Sequence, residues 1–74
     1  MNSDSLFLIV NGKRRDFTAD NFPSTLLALI DFLKMDAAVI VAEVDGEIAE
    51  RGRFAEVPLS SGMRVELIRF VGGG

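Results

Sequence analysis

The sequence predicts an α+β domain in which one helix packs across a mixed sheet of four or five strands, in the order β-β-α-β-β-β. Three observations lead there. Asn11-Gly12 and Asp45-Gly46 each follow an apolar run, and both are the residue pairs a type I′ hairpin turn demands, because its two central positions take φ > 0. Between these hairpins, Leu26, Leu29, Ile30 and Leu33 recur at helical spacing and make one apolar stripe. A last run, Arg64 to Val71, is extended in character and has no partner of its own, so it must pair with strands already formed.

Each element has a local reason. Leu6-Phe7-Leu8-Ile9-Val10 is rich in strand formers. After the turn, Lys13 to Phe17 returns as a polar strand, and its charges suit a sheet edge that must not recruit neighbours. Ser24 or Thr25 can cap the helix by accepting a free backbone N–H. The helix is expected to end near Lys34 to Asp36. Val39 to Val44 reads as a strand and Glu47-Ile48-Ala49 as its short return. Residues 50–61 hold Gly52 and Pro58 and lack a clean period. A loop with one tight helical turn near Phe54 is expected there, with Phe54 and Leu59 plugging the open end of the core. Ser61-Gly62 makes a turn into the last strand. That strand is expected in the centre, parallel to the first, with the helix completing the crossover between the two halves.

Size and composition limit the function classes. The chain has 74 residues, enough for a single domain over 1–74, with residues 1–5 as a polar lead-in and 72–74 as a glycine tail. So small a core leaves little room for a substrate cleft. There is no cysteine and no histidine, which removes the thiol nucleophile, the thiolate ligand and the commonest general base and metal ligand. No catalytic side chain and no metal ligand set is assigned. Eight Lys+Arg stand against eleven Asp+Glu, a formal charge of −3, which disfavours nucleic acid and favours partners with a basic face. The longest apolar run, residues 37–42, falls far short of the ~20 needed to span a membrane. The N-terminus lacks the basic and apolar regions of a signal peptide. A cytoplasmic protein is expected. No phosphate-cradling loop is present; Arg51 and Arg53 could meet a carboxylate or phosphate, or simply be solvated.

Two features exceed what a core requires. Alternation puts Leu6, Leu8 and Val10 of the first strand under the helix, with Val65 and Leu67 of the last. Phe7, Ile9, Ile68 and Phe70 then point to the opposite face, where adjacent strands would gather them into one exposed apolar patch of the kind that marks a docking surface. A covering loop is the alternative. The other feature is Val71-Gly72-Gly73-Gly74. Terminal glycines bury nothing and cost the most backbone entropy to order. What they provide is a thin, bendable thread reaching on the order of 10 Å, able to enter a narrow channel and present the Gly74 carboxylate there. A frayed end is the plain alternative.

These residues are together similar to the sulfur carrier proteins of thiamin (thiazole) biosynthesis. The likeness rests on Asn11-Gly12 after the first strand and on Val44-Asp45-Gly46-Glu47-Ile48. Arg51, Pro58-Leu59 and Val65-Glu66-Leu67-Ile68 leading into Val71-Gly72-Gly73-Gly74 complete it. It covers Leu6 to Gly74, and its most specific part is the valine with three glycines. Two positions depart from the family's habit: Ser61-Gly62-Met63 stands where an acidic-Gly-Asp turn is usual, and Glu50 where Pro is common. The resemblance implies the ubiquitin-like β-grasp fold. It implies an E1-like adenylating enzyme that uses ATP and Mg²⁺ to activate the Gly74 carboxylate, the carrier itself binding no cofactor. A sulfur donor protein would then convert Gly74 to a thiocarboxylate, and thiazole synthase would take the sulfur, with Gly72 and Gly73 threading into the partners' sites. The small subunit of molybdopterin synthase and a ubiquitin-like protein modifier remain as competing readings. So does a binding module with incidental glycines.

Overall fold

The computed structural model describes residues 5–70; the lead-in over 1–4 and the tail over 71–74 lie outside them. Five strands form one sheet: β1 (Leu6–Val10), β2 (Lys13–Phe17), β3 (Ile40–Val44), β4 (Glu47–Ile48) and β5 (Arg64–Arg69). Their spatial order is β2-β1-β5-β3-β4. β5 therefore lies centrally, parallel to β1 and antiparallel to β3. The helix α1 (Leu26–Phe32) crosses one face between the hairpins, as its place in the sequence requires.

Both hairpins are closed by the expected turns. Asn11 and Gly12 have φ of 52° and 82°, and Asp45 and Gly46 have 51° and 87°. Each turn also supports β5. The Asp45 carboxylate accepts from the Arg64 N–H at 2.8 Å. The Asn11 side chain does more. Its Oδ1 accepts from the Leu67 N–H at 2.7 Å, and its Nδ2 donates to the Leu67 carbonyl at 3.2 Å. β1 stops at Val10, opposite Val65, so a side-chain amide stands in for the next strand residue and satisfies both polar groups of Leu67.

Helix α1 starts where Thr25 caps it, Oγ1 accepting from the Ala28 N–H at 3.1 Å. It ends earlier than its apolar spacing suggests. Lys34 adopts φ 61°, its N–H donates to the Asp31 carbonyl, and the Met35 N–H donates to Ile30. That is the double closure of a Schellman motif, reached here without glycine. Strand β3 likewise starts one residue late. Residues Ala37–Val39 form a 3₁₀ turn because the Asp36 carboxylate accepts from the Ala38 N–H at 2.9 Å. The tight turn near Phe54 is present over Phe54–Glu56.

The core lies between α1 and the inner face of the sheet. Leu8, Leu26, Leu29, Ile30, Ile40 and Val65 are fully buried, joined by Val10, Ala42 and Leu67. Phe17, Phe54 and Leu59 close its ends, all buried. Two expected core members, Leu6 and Leu33, are only half-buried, since each lies at the end of its element. The loop before β5 is tied to the start of the helix: Leu26 N–H donates to Val57 and Leu59 N–H to Ser24.

The Asn11 bridge can be tested without disturbing its turn. Asn11→Gly keeps the positive φ and deletes only the amide, leaving the Leu67 N–H without its acceptor. It should lower unfolding free energy by about 1–3 kcal/mol. A urea midpoint unchanged from wild type would show that the bridge contributes nothing.

Candidate functional site

The outer face of the sheet carries no helix. Pairing assigns its side chains row by row. Arg14, Ile9 and Arg64 occupy one row. Ile48, Glu43 and Glu66 occupy the next on the β4 side. Val41 and Ile68 follow, and then Phe70, whose N–H donates to the Val39 carbonyl.

The expectation of one patch made by Phe7, Ile9, Ile68 and Phe70 needs correction. All four belong to this face, but the parallel register separates them into two pairs. Ile9 is level with Arg64, so Ile68 lies four residues farther on, about 13 Å at the rise of a strand. Phe7 sits beside Gly62, whose N–H donates to the Phe7 carbonyl, about 26 Å along β5 from Phe70. Arg64 and Glu66 stand between the pairs. Phe7 is also half-buried, with the Arg14 guanidinium 4.0 Å from its ring centroid.

What is exposed lies at the other end. Ile68 is 61% exposed, Phe70 45% and Ile48 73%. Ile48 was missed by face counting in the sequence. The signal was there: a two-residue turn at Asp45-Gly46 pairs Val44 with Glu47 and Glu43 with Ile48, which puts Ile48 on the face of Glu43. Ile68 and Phe70 lie where β5 leaves the sheet, whereas Ile48 sits on the edge strand β4 in the row of Glu43 and Glu66, four residues back from Phe70.

Arg51 braces that exit. One of its Nη groups donates to the Ala38 carbonyl at 2.6 Å, and its guanidinium lies 5.8 Å from the Phe70 ring centroid. Arg53 is engaged with Glu56 at 2.8 Å and Glu50 at 3.7 Å. Neither is held free for a phosphate. Glu43 and Glu66 are directly opposite one another on β3 and β5, both half-buried, a relation unfavourable for like charges in a sheet. Among the described residues no group of three metal-ligating side chains gathers. No helix among them is long and apolar enough to cross a membrane. The tail residues Gly72, Gly73 and Gly74 lie outside the described residues.

A central parallel β1–β5 pair under a single helix defines a small domain of the β-grasp class. The ThiS family model matches residues 8–74, and the chain belongs to that family, the sulfur carriers of thiamine biosynthesis. Its fold is similar to the crystal structure of the thiamine biosynthesis protein ThiS from Geobacter metallireducens, with a TM-score of 0.75 and 34% identity, covering 93% of this chain and all of that one. It is also 33% identical over 67 residues to a thiazole synthase of Paramagnetospirillum magneticum. That match takes in 90% of this chain but 20% of the relative, so the chain spans a fifth of the length of the curated protein it resembles.

The division between the two faces makes a direct prediction. Ile68→Asp and Phe70→Asp should each cost no more than about 1 kcal/mol of stability, the range of exposed strand positions. Leu67→Asp, one residue away but buried, should leave the chain unfolded by circular dichroism at 25 °C, because it places an unpaired charge in the core. Equal stability of all three variants would contradict the assignment of faces.

Proposed function

We propose that the Gly74 carboxylate is the working group of this carrier. A free carboxylate resists nucleophiles, because its negative charge repels them and oxide is a poor leaving group. An E1-like adenylating enzyme corrects both faults with ATP and Mg²⁺: the carboxylate oxygen attacks the α-phosphorus, pyrophosphate leaves, and Gly74 becomes an acyl adenylate. The terminal sulfur of a donor protein's persulfide then attacks the carbonyl carbon and AMP departs. A thiol then attacks the donor's sulfur and breaks the sulfur–sulfur bond, which leaves a thiocarboxylate on Gly74 and the donor in a disulfide that a second thiol reduces. The carrier needs no bound cofactor for any of these steps; ATP and Mg²⁺ belong to the enzyme.

The observation that carries this reading is that the family match runs through the terminal valine and glycines, to residue 74. Composition agrees, since without cysteine the chain has no side-chain thiol on which to load sulfur. Gly72 and Gly73 would let the tail enter a partner's channel, as residues with no Cβ can. Ile68 and Phe70 would dock the domain at the root of that tail. Phe7 and Ile9 fall outside this contact and would touch a partner only if it covered the whole sheet. The acceptor we assign is thiazole synthase, supported by the relative of that name whose chain contains a segment like this one. All the partners act in the cytoplasm on this reading.

Intact mass tests the proposal. Incubation with ATP, Mg²⁺, sulfur donor and adenylating enzyme should exchange one oxygen of Gly74 for sulfur. A chain ending in a C-terminal amide should stay unchanged. An unaltered mass for the free acid, with an enzyme shown to be active on another carrier, would refute the assignment.

A further inference from the structure

Arg51 has a local setting that the core does not require. Glu50 to Arg53 is a β-turn, closed by the Arg53 N–H on the Glu50 carbonyl at 3.1 Å. Arg51 is its second residue and Gly52 its third, with φ 81°. The third position of a type II turn takes φ > 0 and so favours glycine. A Cβ on Gly52 would meet nothing within 4 Å, so the glycine is there for its φ and not for space. The turn carries Arg51 along the edge of the sheet, past β4, to the segment that leads into β3. There one Nη donates to the Ala38 carbonyl at 2.6 Å. The Asp36 carboxylate already accepts from the Ala38 N–H at 2.9 Å, so side chains bind both polar groups of this exposed residue.

The same guanidinium lies 5.8 Å from the Phe70 ring centroid, within the range of a cation–π contact. Phe70 follows the last paired residue of the strand. Arg69 is opposite Ile40, and the Phe70 N–H then donates to the Val39 carbonyl. The 3₁₀ turn of Ala37–Val39 therefore takes the backbone of Phe70 directly and its ring by way of Arg51. We infer that Arg51 is a positioning residue, which ties the Phe70 ring to this turn and so sets the direction in which β5 hands the chain on to residue 71. A planar guanidinium suits both tasks, since its N–H groups lie in the plane and its face can stack on a ring. The inference rests on the proposed function in one respect: the segment being aimed is the one that presents the Gly74 carboxylate to the adenylating enzyme.

Two readouts test it. In Arg51→Ala the NMR order parameter of the Phe70 amide should fall, while that of Leu67 stays at its wild-type value. The urea midpoint should not move, because Arg51 and Ala38 are both exposed and water replaces the lost bond. In ATP–pyrophosphate exchange by the adenylating enzyme, kcat should fall about 3–10-fold with KM for the carrier unchanged, since docking is intact and only the reach of the carboxylate suffers. Arg51→Lys keeps the charge but has one head group for two tasks, and should recover only part of the loss. In a Phe70→Leu background Arg51→Ala should cost little more, because the ring it holds is gone. An unchanged Phe70 amide, or full turnover in Arg51→Ala, would overturn the inference. So would a raised KM at full kcat, which would make Arg51 a contact of the enzyme, or full recovery by Arg51→Lys, which would reduce it to a charge. Losses that simply add in the double variant would overturn it too. Wild type that supports no exchange, with an enzyme active on another carrier, would sink the function, and the Phe70 amide would still decide what Arg51 holds.

Discussion

The parallel pairing of β1 with β5 is the constraint on which the other features depend. Parallel neighbours cannot be joined by a tight turn, so everything between Val10 and Arg64, including the helix and the second hairpin, is the crossover that lets them meet. Because β5 is central, its inner residues Val65 and Leu67 are buried under the helix, while its far end extends past β1. There the pairing is completed by one side chain, Asn11, bonded to both polar groups of Leu67. The chain leaves the sheet from a fixed point as a result, with Phe70 held by Val39 and Arg51. On the proposed function the tail is aimed into another protein and needs a root of that kind, since freedom upstream would add to the entropy lost on threading.

Much of this was legible because the decisive signals are local. Asn-Gly and Asp-Gly specify their turns by φ alone, and the stripe of Leu26, Leu29 and Ile30 has one outlet, the sheet beneath it. The places where the reading failed are those where a polar side chain reached a backbone group nearby. Asp36 pulled residues 37–39 into a 3₁₀ turn, although Val39 reads as the start of a strand. Lys34 ended the helix in a left-handed conformation that glycine usually supplies. The patch was misjudged for a different reason. Alternation tells which face a residue takes but not its height along the sheet, and only the β1–β5 register separates Phe7 from Phe70. Ile48 was recoverable from the turn length.

The two faces of the sheet answer to different demands. The inner face is continuous hydrocarbon, and substitutions there are read as stability. The outer face leaves Ile48, Ile68 and Phe70 in water and sets two carboxylates against each other, neither of which helps a free domain of 74 residues. Such a face fits the proposed function, in which the chemistry is performed by other proteins. On that function, the carrier contributes position, through its domain and outer face, together with one reactive terminus.

The most direct measurement follows the sulfur itself. The carrier is loaded with isotopically labelled sulfur, freed of donor and small thiols, and given to thiazole synthase with its other substrates. The account predicts that the label appears in the thiazole ring, in proportion to carrier consumed, while the carrier returns to an ordinary carboxylate. Thiazole formed without label, or label that stays on the carrier as the ring is made, would contradict it.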